Sequence, residues 1–288
     1  MLSLVKMKVI QKIAIGYTRF KFRVLSLFSK KLAAKKAFEL FSTPRGKPPK
    51  QMPAFINKAE PLTFQLNGFN INGYRWNHPQ QKKILILHGF SSAAYKFSYY
   101  AEAFANKGFE VIAFDAPAHG SSEGKTVNAV IYSEMIKKVI ELYGPFHGFL
   151  AHSFGGLALS LALENTPHDS NTHVVLIATV TETTSAIDTA MKMLGLKNEE
   201  VKKEFNKIIY NLSGQTSEWY SIRRAVKNMQ AKILWIHDED DDITPAADTI
   251  KVKEDNHSNI EFMITQGLGH RRIYHDEDVR KRVIDFLG

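Results

Sequence analysis

From residue 83 onward, short apolar runs alternate with segments of helical spacing, and this alternation constrains the fold more than any other feature. Ile84–Leu87, Val111–Phe114, Phe146–Ala151, Val174–Ala178, Ile233–Ile236 and Ile260–Ile264 are brief, mostly apolar and rich in β-branched residues. A strand that is apolar at nearly every position must be covered on both faces, as in a parallel sheet flanked by helices. Helical candidates occupy the intervals near 95–107, 126–143, 154–165, 246–254 and 276–287. The pattern predicts an α/β protein with a doubly wound, mostly parallel sheet. Ahead of it, Leu62–Leu66 and Phe69–Trp76 read as a hairpin across Asn67-Gly68, a dipeptide suited to the positive φ angles of a tight turn.

One interval breaks the alternation. Residues 181–229 hold no convincing strand, although clear strands stand on either side. Phe205, Ile208, Ile209 and Leu212 recur at helical spacing. Connections in α/β units are usually short, so the segment is expected to be a helical lid over the active site rather than a long crossover.

The charge is distributed unevenly. Of the net +9, residues 1–50 contribute +12, from thirteen Lys and Arg against the single acid Glu39; the remainder is slightly acidic at −3. The N-terminal cations alternate with Leu4, Val5, Ile10, Ile13, Ile15, Phe20, Phe22, Val24, Leu25, Leu27 and Phe28. No uncharged run reaches the roughly 18–20 residues that span a bilayer, and neither a secretory apolar core nor its cleavage site is expected. Two readings stand. Residues 1–40 form a basic amphipathic helix lying on an anionic membrane surface, or they pack on the protein body with lysines solvated outside. Nucleic acid is not an expected partner, since no zinc-finger, RRM or helix-turn-helix pattern accompanies the charge. Pro44, Pro48, Pro49 and Pro53 read as a linker. The expected division is therefore a basic segment at 1–50 and one domain at 51–288. The chain has no cysteine, which excludes disulfides, thiolate metal sites and cysteine nucleophiles. It fits a reducing compartment, and the expected location is cytoplasmic, peripheral on the inner membrane face under the first reading.

The stretch Phe149-Leu150-Ala151-His152-Ser153-Phe154-Gly155-Gly156 carries the chemistry. An apolar run ends in a serine flanked two positions away by Ala151 and Gly155, and a helical segment follows at once. That is the signature of a nucleophile elbow, a sharp strand-to-helix turn that lifts one hydroxyl above a sheet edge. A serine hydroxyl needs a base within hydrogen-bond reach and a third group to orient that base. Candidates follow at strand ends: the acidic run Asp238-Glu239-Asp240-Asp241-Asp242 after Ile233–Ile236, and Gly267-Leu268-Gly269-His270 after Ile260–Ile264.

With Leu87-His88-Gly89-Phe90 and Asp115-Ala116-Pro117-Ala118-His119-Gly120-Ser121-Ser122, these motifs form an ordered set over residues 62–288. The set resembles the α/β-hydrolase superfamily, in particular its serine esterase, lipase and S33-peptidase-like branches. The resemblance implies the α/β-hydrolase fold, with Ser153 as nucleophile, His270 as base and the backbone N–H groups of Phe90 and Phe154 as oxyanion hole. Aligning on Ile243 and Pro245 assigns the acid to Asp241, with Asp240 second; His275 is the alternative base. His88 and His152 are expected to shape the loops around the site, and His119 to brace the loop after its strand. The family requires no cofactor, and no metal is expected. The implied activity is cleavage of a small-molecule acyl ester, lipid-like if the N-terminus binds membrane. Thioester, amide and carbon–carbon bond cleavage use the same triad. A non-catalytic binding protein and a membrane-docking module are the rivals from other classes. Oligomeric state is not legible.

Overall fold

The computed structural model describes residues 2–46 and 51–288, with side chains from residue 14 onward. Pro48 and Pro49 of the expected linker, and the side chains of Leu4, Val5, Ile10 and Ile13, lie outside the described residues. In chain order the elements begin with α1 (Leu2–Phe28), α2 (Lys30–Ser42), β1 (Glu60–Leu66), β2 (Phe69–Trp76), β3 (Lys83–Leu87), α3 (Ser98–Asn106), β4 (Glu110–Phe114), α4 (Ala129–Tyr143) and β5 (Gly148–His152). They continue with α5 (Phe154–Leu163), β6 (His173–Ile177), α6 (Thr183–Leu194), α7 (Glu199–Ser213), α8 (Ile222–Ala225), β7 (Lys232–Asp238), α9 (Ala246–Glu254), β8 (Ile260–Thr265), α10 (Gly269–Arg272) and α11 (Glu277–Leu287). The chain divides into two compact units: Thr43–Glu182 with Tyr220–Gly288, and the helices before Thr43 with Thr183–Trp219.

The larger unit is built on one eight-stranded sheet in the order β1-β2-β4-β3-β5-β6-β7-β8. β1 and β2 form the hairpin, with Asn67 and Gly68 both at positive φ, and β2 joins β4 antiparallel; all other pairs are parallel. The central strands are apolar on both faces because both are covered. Ile84, Ile86 and Leu150 pack with Tyr100 and Phe104 of α3 and with Val279, Val283 and Leu287 of α11. α4 and α5 pack on one another, and α5 runs against β3 and β5. α5 is buried from Gly155 to Leu163, as expected of a helix apolar all round.

The winding direction reverses at β3. The chain steps from β3 out to β4, then returns past β3 to β5 on its other side. The loops leaving the carboxyl ends of β3 and β5 therefore part from one another, and such a switch point is where open α/β sheets bind ligands.

Several boundaries differ from expectation for local reasons. The strand expected at Phe146–Ala151 runs Gly148–His152. The strand expected at Val174–Ala178 stops at Ile177 because Ala178 takes a positive φ. The helix expected from 95 opens as a 3-10 turn, Ala94–Phe97. The helix expected from 126 starts at Ala129, capped by the Asn128 side chain accepting from Ile131 N–H.

The smaller unit is helical. α2 buries Ala33, Ala34 and Ala37, a small-residue face that lets α7 approach closely with Val201, Phe205 and Ile209. Phe38 and Phe205 meet edge to face, ring centroids 5.5 Å apart. α1 packs against α6, where Arg19 Nε donates to the Met193 carbonyl at 2.9 Å. α6 and α7 each end at a glycine of positive φ, Gly195 and Gly214. Of the interval 181–229 expected to be a helical lid, Thr183–Trp219 holds the pair α6 and α7, which pack with the N-terminal helices, and α8 belongs to the larger unit.

Candidate active site

Ser153 sits between β5 and α5 at φ 55°, ψ −122°, a conformation costly for any residue with a Cβ and one that clusters at functional sites. Close neighbours must be small. A Cβ on Gly155 would stand 2.6 Å from the His88 carbonyl oxygen, and one on Gly89 would stand 2.8 Å from Ser153 Cβ. Both glycines bring the loop after β3 against the elbow.

Three of the expected side chains come together. His270 Nε2 lies 3.0 Å from Ser153 Oγ, and His270 Nδ1 lies 2.8 Å from Asp241 Oδ2. With the carboxylate accepting from Nδ1–H, Nε2 is left as the acceptor for the serine proton. Asp241 Oδ1 also accepts from the backbone N–H of Ile243 and Thr244, each at 2.8 Å, and Oδ2 from Thr244 Oγ1 at 2.6 Å. Burial works against the charged form of Asp241. The hydrogen bond and charge of His270, with the Thr244 donors, outweigh it and hold the carboxyl below its usual range.

The other acids of the run have separate tasks. Asp240 Oδ2 accepts from Gly267 N–H at 2.9 Å and does not face His270. Asp238 is fully buried and accepts four donors: Thr265 Oγ1 (2.7 Å), Leu268 N–H (3.0 Å), Gly269 N–H (2.8 Å) and Asp240 N–H (3.1 Å). Burial opposes its charge, yet these donors keep its pKa below the ordinary value. Asp238 therefore fastens the loop that carries His270. Sequence reasoning missed this role and that of Thr244. The available signal was an acid at a strand end facing a Gly-Leu-Gly loop rich in free N–H donors.

Histidines around the site are neutral struts. His88 Nδ1 donates to the Gly89 carbonyl at 2.8 Å and Nε2 accepts from Ala116 N–H at 2.9 Å; burial lowers its pKa to about 4. His119 Nδ1 donates to the Pro117 carbonyl and Nε2 accepts from Ser91 N–H, again with a pKa lowered to about 4 by burial. Together they tie the loop after β3 to the loop after β4. Asp115 completes the brace, taking Ala94 N–H on Oδ1 and Ser121 N–H and Oγ on Oδ2. His152 Nε2 donates to the His270 carbonyl at 3.2 Å, and burial pushes its pKa down to about 3. His275, the alternative base, is exposed and meets Arg280 instead.

Phe154 opens α5, and Phe90 lies one residue past Gly89. Neither backbone N–H donates a hydrogen bond among the described residues. Their rings meet edge to face at 6.1 Å, with Phe90 partly exposed. Nearby, Phe97 and Tyr100 are core residues, 1% exposed, and Tyr99 is exposed.

Residues 78–218 match a family model described as "Serine aminopeptidase, S33". A curated relative, the uncharacterized hydrolase YugF of Bacillus subtilis, is 28% identical over 106 residues, 35% of this chain. That match spans only 38% of the relative's own length. Among solved structures, the esterase Pf2001 of Pyrococcus furiosus superposes with a TM-score of 0.65 at 18% identity, covering 85% of this chain and 98% of that one. Alpha/beta hydrolase domain-containing protein 10 from mouse gives 0.59 at 17% identity, covering 79% and 96%. Sheet order, elbow and these matches agree on the architecture: the chain has the α/β-hydrolase fold.

Proposed function

We propose that this chain is a serine hydrolase that cleaves a carboxylic ester through an acyl-enzyme on Ser153. The observation that carries the reading is the continuous hydrogen-bonded line from Ser153 Oγ through His270 to Asp241, at 3.0 and 2.8 Å. Ser153 Oγ attacks the acyl carbonyl while His270 Nε2 takes its proton. The carbonyl electron pair moves onto oxygen, and the N–H groups of Phe90 and Phe154, which have no acceptor among the described residues, receive the oxyanion. As the tetrahedral intermediate collapses, His270 returns the proton to the departing alkoxide. Water then attacks the acyl-enzyme with His270 again as base, releasing the acid and restoring Ser153. Asp241 holds one imidazole tautomer and stabilises the imidazolium in both halves. Thioesters and amides would pass through the same steps; the esterase names of structural relatives favour the oxygen ester as the first substrate class to assay.

The experiment is labelling with a fluorophosphonate probe, which needs an activated serine but little substrate recognition. Wild type should label and Ser153→Ala should not. Persistent labelling of the variant would mean that a different serine reacts, and an unlabelled, folded wild type would point to a binding protein.

Gly89→Ala tests the oxyanion arrangement. Its methyl would collide with the Ser153 side chain, so the loop must retreat and carry the Phe90 N–H away. The expected cost is about 100- to 1000-fold in kcat, the usual effect of losing one oxyanion donor, with KM little changed. A kcat within a few-fold of wild type would remove Phe90 from the proposal.

A further inference from the structure

We infer that the outer face of α1 is a docking surface for an anionic phospholipid bilayer, on which the helix lies in the plane of the headgroups. The inference stands apart from the ester-hydrolysis reading, because it concerns binding by residues that take no part in the triad.

α1 has two unlike sides. Phe22 is buried and Arg19 is tied to the Met193 carbonyl, which is the side turned toward α6. Tyr17, Phe20, Val24, Leu27 and Phe28 follow one another at steps that place them within an arc of about 100° on the other side. Four of them are strongly exposed: Tyr17 68%, Phe20 66%, Leu27 77% and Phe28 85%. Three aromatics and a leucine bare on one stripe of one helix form an apolar patch that marks an interaction surface.

Charge identifies the occupant. Lys21 and Arg23 are exposed at the two edges of this arc, and Lys31, Lys35 and Lys36 are exposed on the following helix, while Glu39 is the single acid of the first 50 residues. An apolar arc bordered by long cationic side chains lets rings enter the acyl boundary while the ammonium and guanidinium groups rise to phosphate. Among the described residues no helix is long and apolar enough to cross a membrane. On this inference the two readings of the segment belong to different sides of α1: packing through Phe22, docking through the bare stripe.

The test is co-flotation of the full chain with vesicles of phosphatidylcholine alone or with about 30 mol % phosphatidylglycerol. Deleting residues 1–40 is unsuitable, because it would strip α2 from Val201, Phe205 and Ile209. Two surface variants serve instead, each checked by circular dichroism: Tyr17→Ser/Phe20→Ser/Leu27→Ser/Phe28→Ser, and Lys21→Gln/Lys31→Gln/Lys35→Gln. Wild type should bind the anionic vesicles and not the neutral ones, and release as salt rises from about 0.1 to about 0.5 M. The charge variant should lose about 100-fold in partitioning, since each surface cation is worth about fivefold, and the aromatic variant at least about tenfold. Any of three results overturns the inference: no binding to anionic vesicles, equal binding to both compositions, or full binding by the aromatic variant. Binding of RNA with no vesicle binding, or a dimer dissolved by the aromatic substitutions, would assign the face to another partner and overturn it equally.

Discussion

Ser153→Ala is expected to lower kcat on a p-nitrophenyl ester by about 10⁴- to 10⁶-fold, the scale on which triad nucleophiles act, while the protein stays folded. In the proposed mechanism the Ser153 hydroxyl oxygen forms the acyl bond, and among the proposed groups none can replace it. A second substitution separates chemistry from strain. Ser153 holds φ 55°, ψ −122°, a region costing about 1–3 kcal/mol for a residue with a Cβ, and alanine keeps that Cβ. Ser153→Gly removes the penalty at a backbone-entropy cost of about 0.5–1 kcal/mol. Glycine should therefore give the more stable of the two inactive proteins, by about 1 kcal/mol in urea midpoint measurements. Equal stability would mean that the elbow stores no strain; substantial activity in the alanine variant would remove Ser153 from the mechanism.

What could be read beforehand divides along a physical line. The sheet was legible because its determinants are local. Strands such as Ile84–Leu87 are apolar at every position only if both faces are covered, and Asn67-Gly68 announces its own turn. The order Ser153, Asp241, His270 was legible through motif resemblance, since each residue follows a strand and sits in a distinctive short context. Boundaries were less so: β6 stops before Ala178 because that residue takes a positive φ, which composition does not display.

The smaller unit was harder to read for a different reason. Nothing local in Ala33, Ala34 and Ala37 says that Phe205 is their partner, some 170 residues on. A small-residue stripe on a helix signals close approach by something, and only the tertiary arrangement identifies it. Likewise nothing local in Phe97 and Tyr100 names Tyr274 as their partner: Phe97 stacks on Tyr274 at 5.1 Å, and the Tyr100 hydroxyl donates to the Tyr274 carbonyl.

Asp238 carries the second large expected effect. A carboxylate offers enough lone pairs to receive Thr265, Leu268, Gly269 and Asp240 at once. In Asp238→Asn the amide nitrogen must face donors on one side, so at least one buried N–H loses its acceptor and meets another donor. A loss of about 3 kcal/mol in stability is expected. Because the released loop carries His270, kcat should fall about 100-fold, the consequence of misplacing a reacting group by roughly 1 Å. Asp240→Asn, which touches one N–H near solvent, should cost about 0.5 kcal/mol or less and serves as control. The pH dependence has a definite sign. The folded pKa of Asp238 is depressed, so its stabilisation is complete above the unfolded value near ~3.9 and disappears as pH falls through the folded pKa. Wild type and Asp238→Asn should therefore differ most at pH 7 and converge on acidification below about pH 4. A gap in urea midpoint that stays constant to pH 3, or a variant with wild-type kcat, would show that the His270 loop is held by something other than this carboxylate.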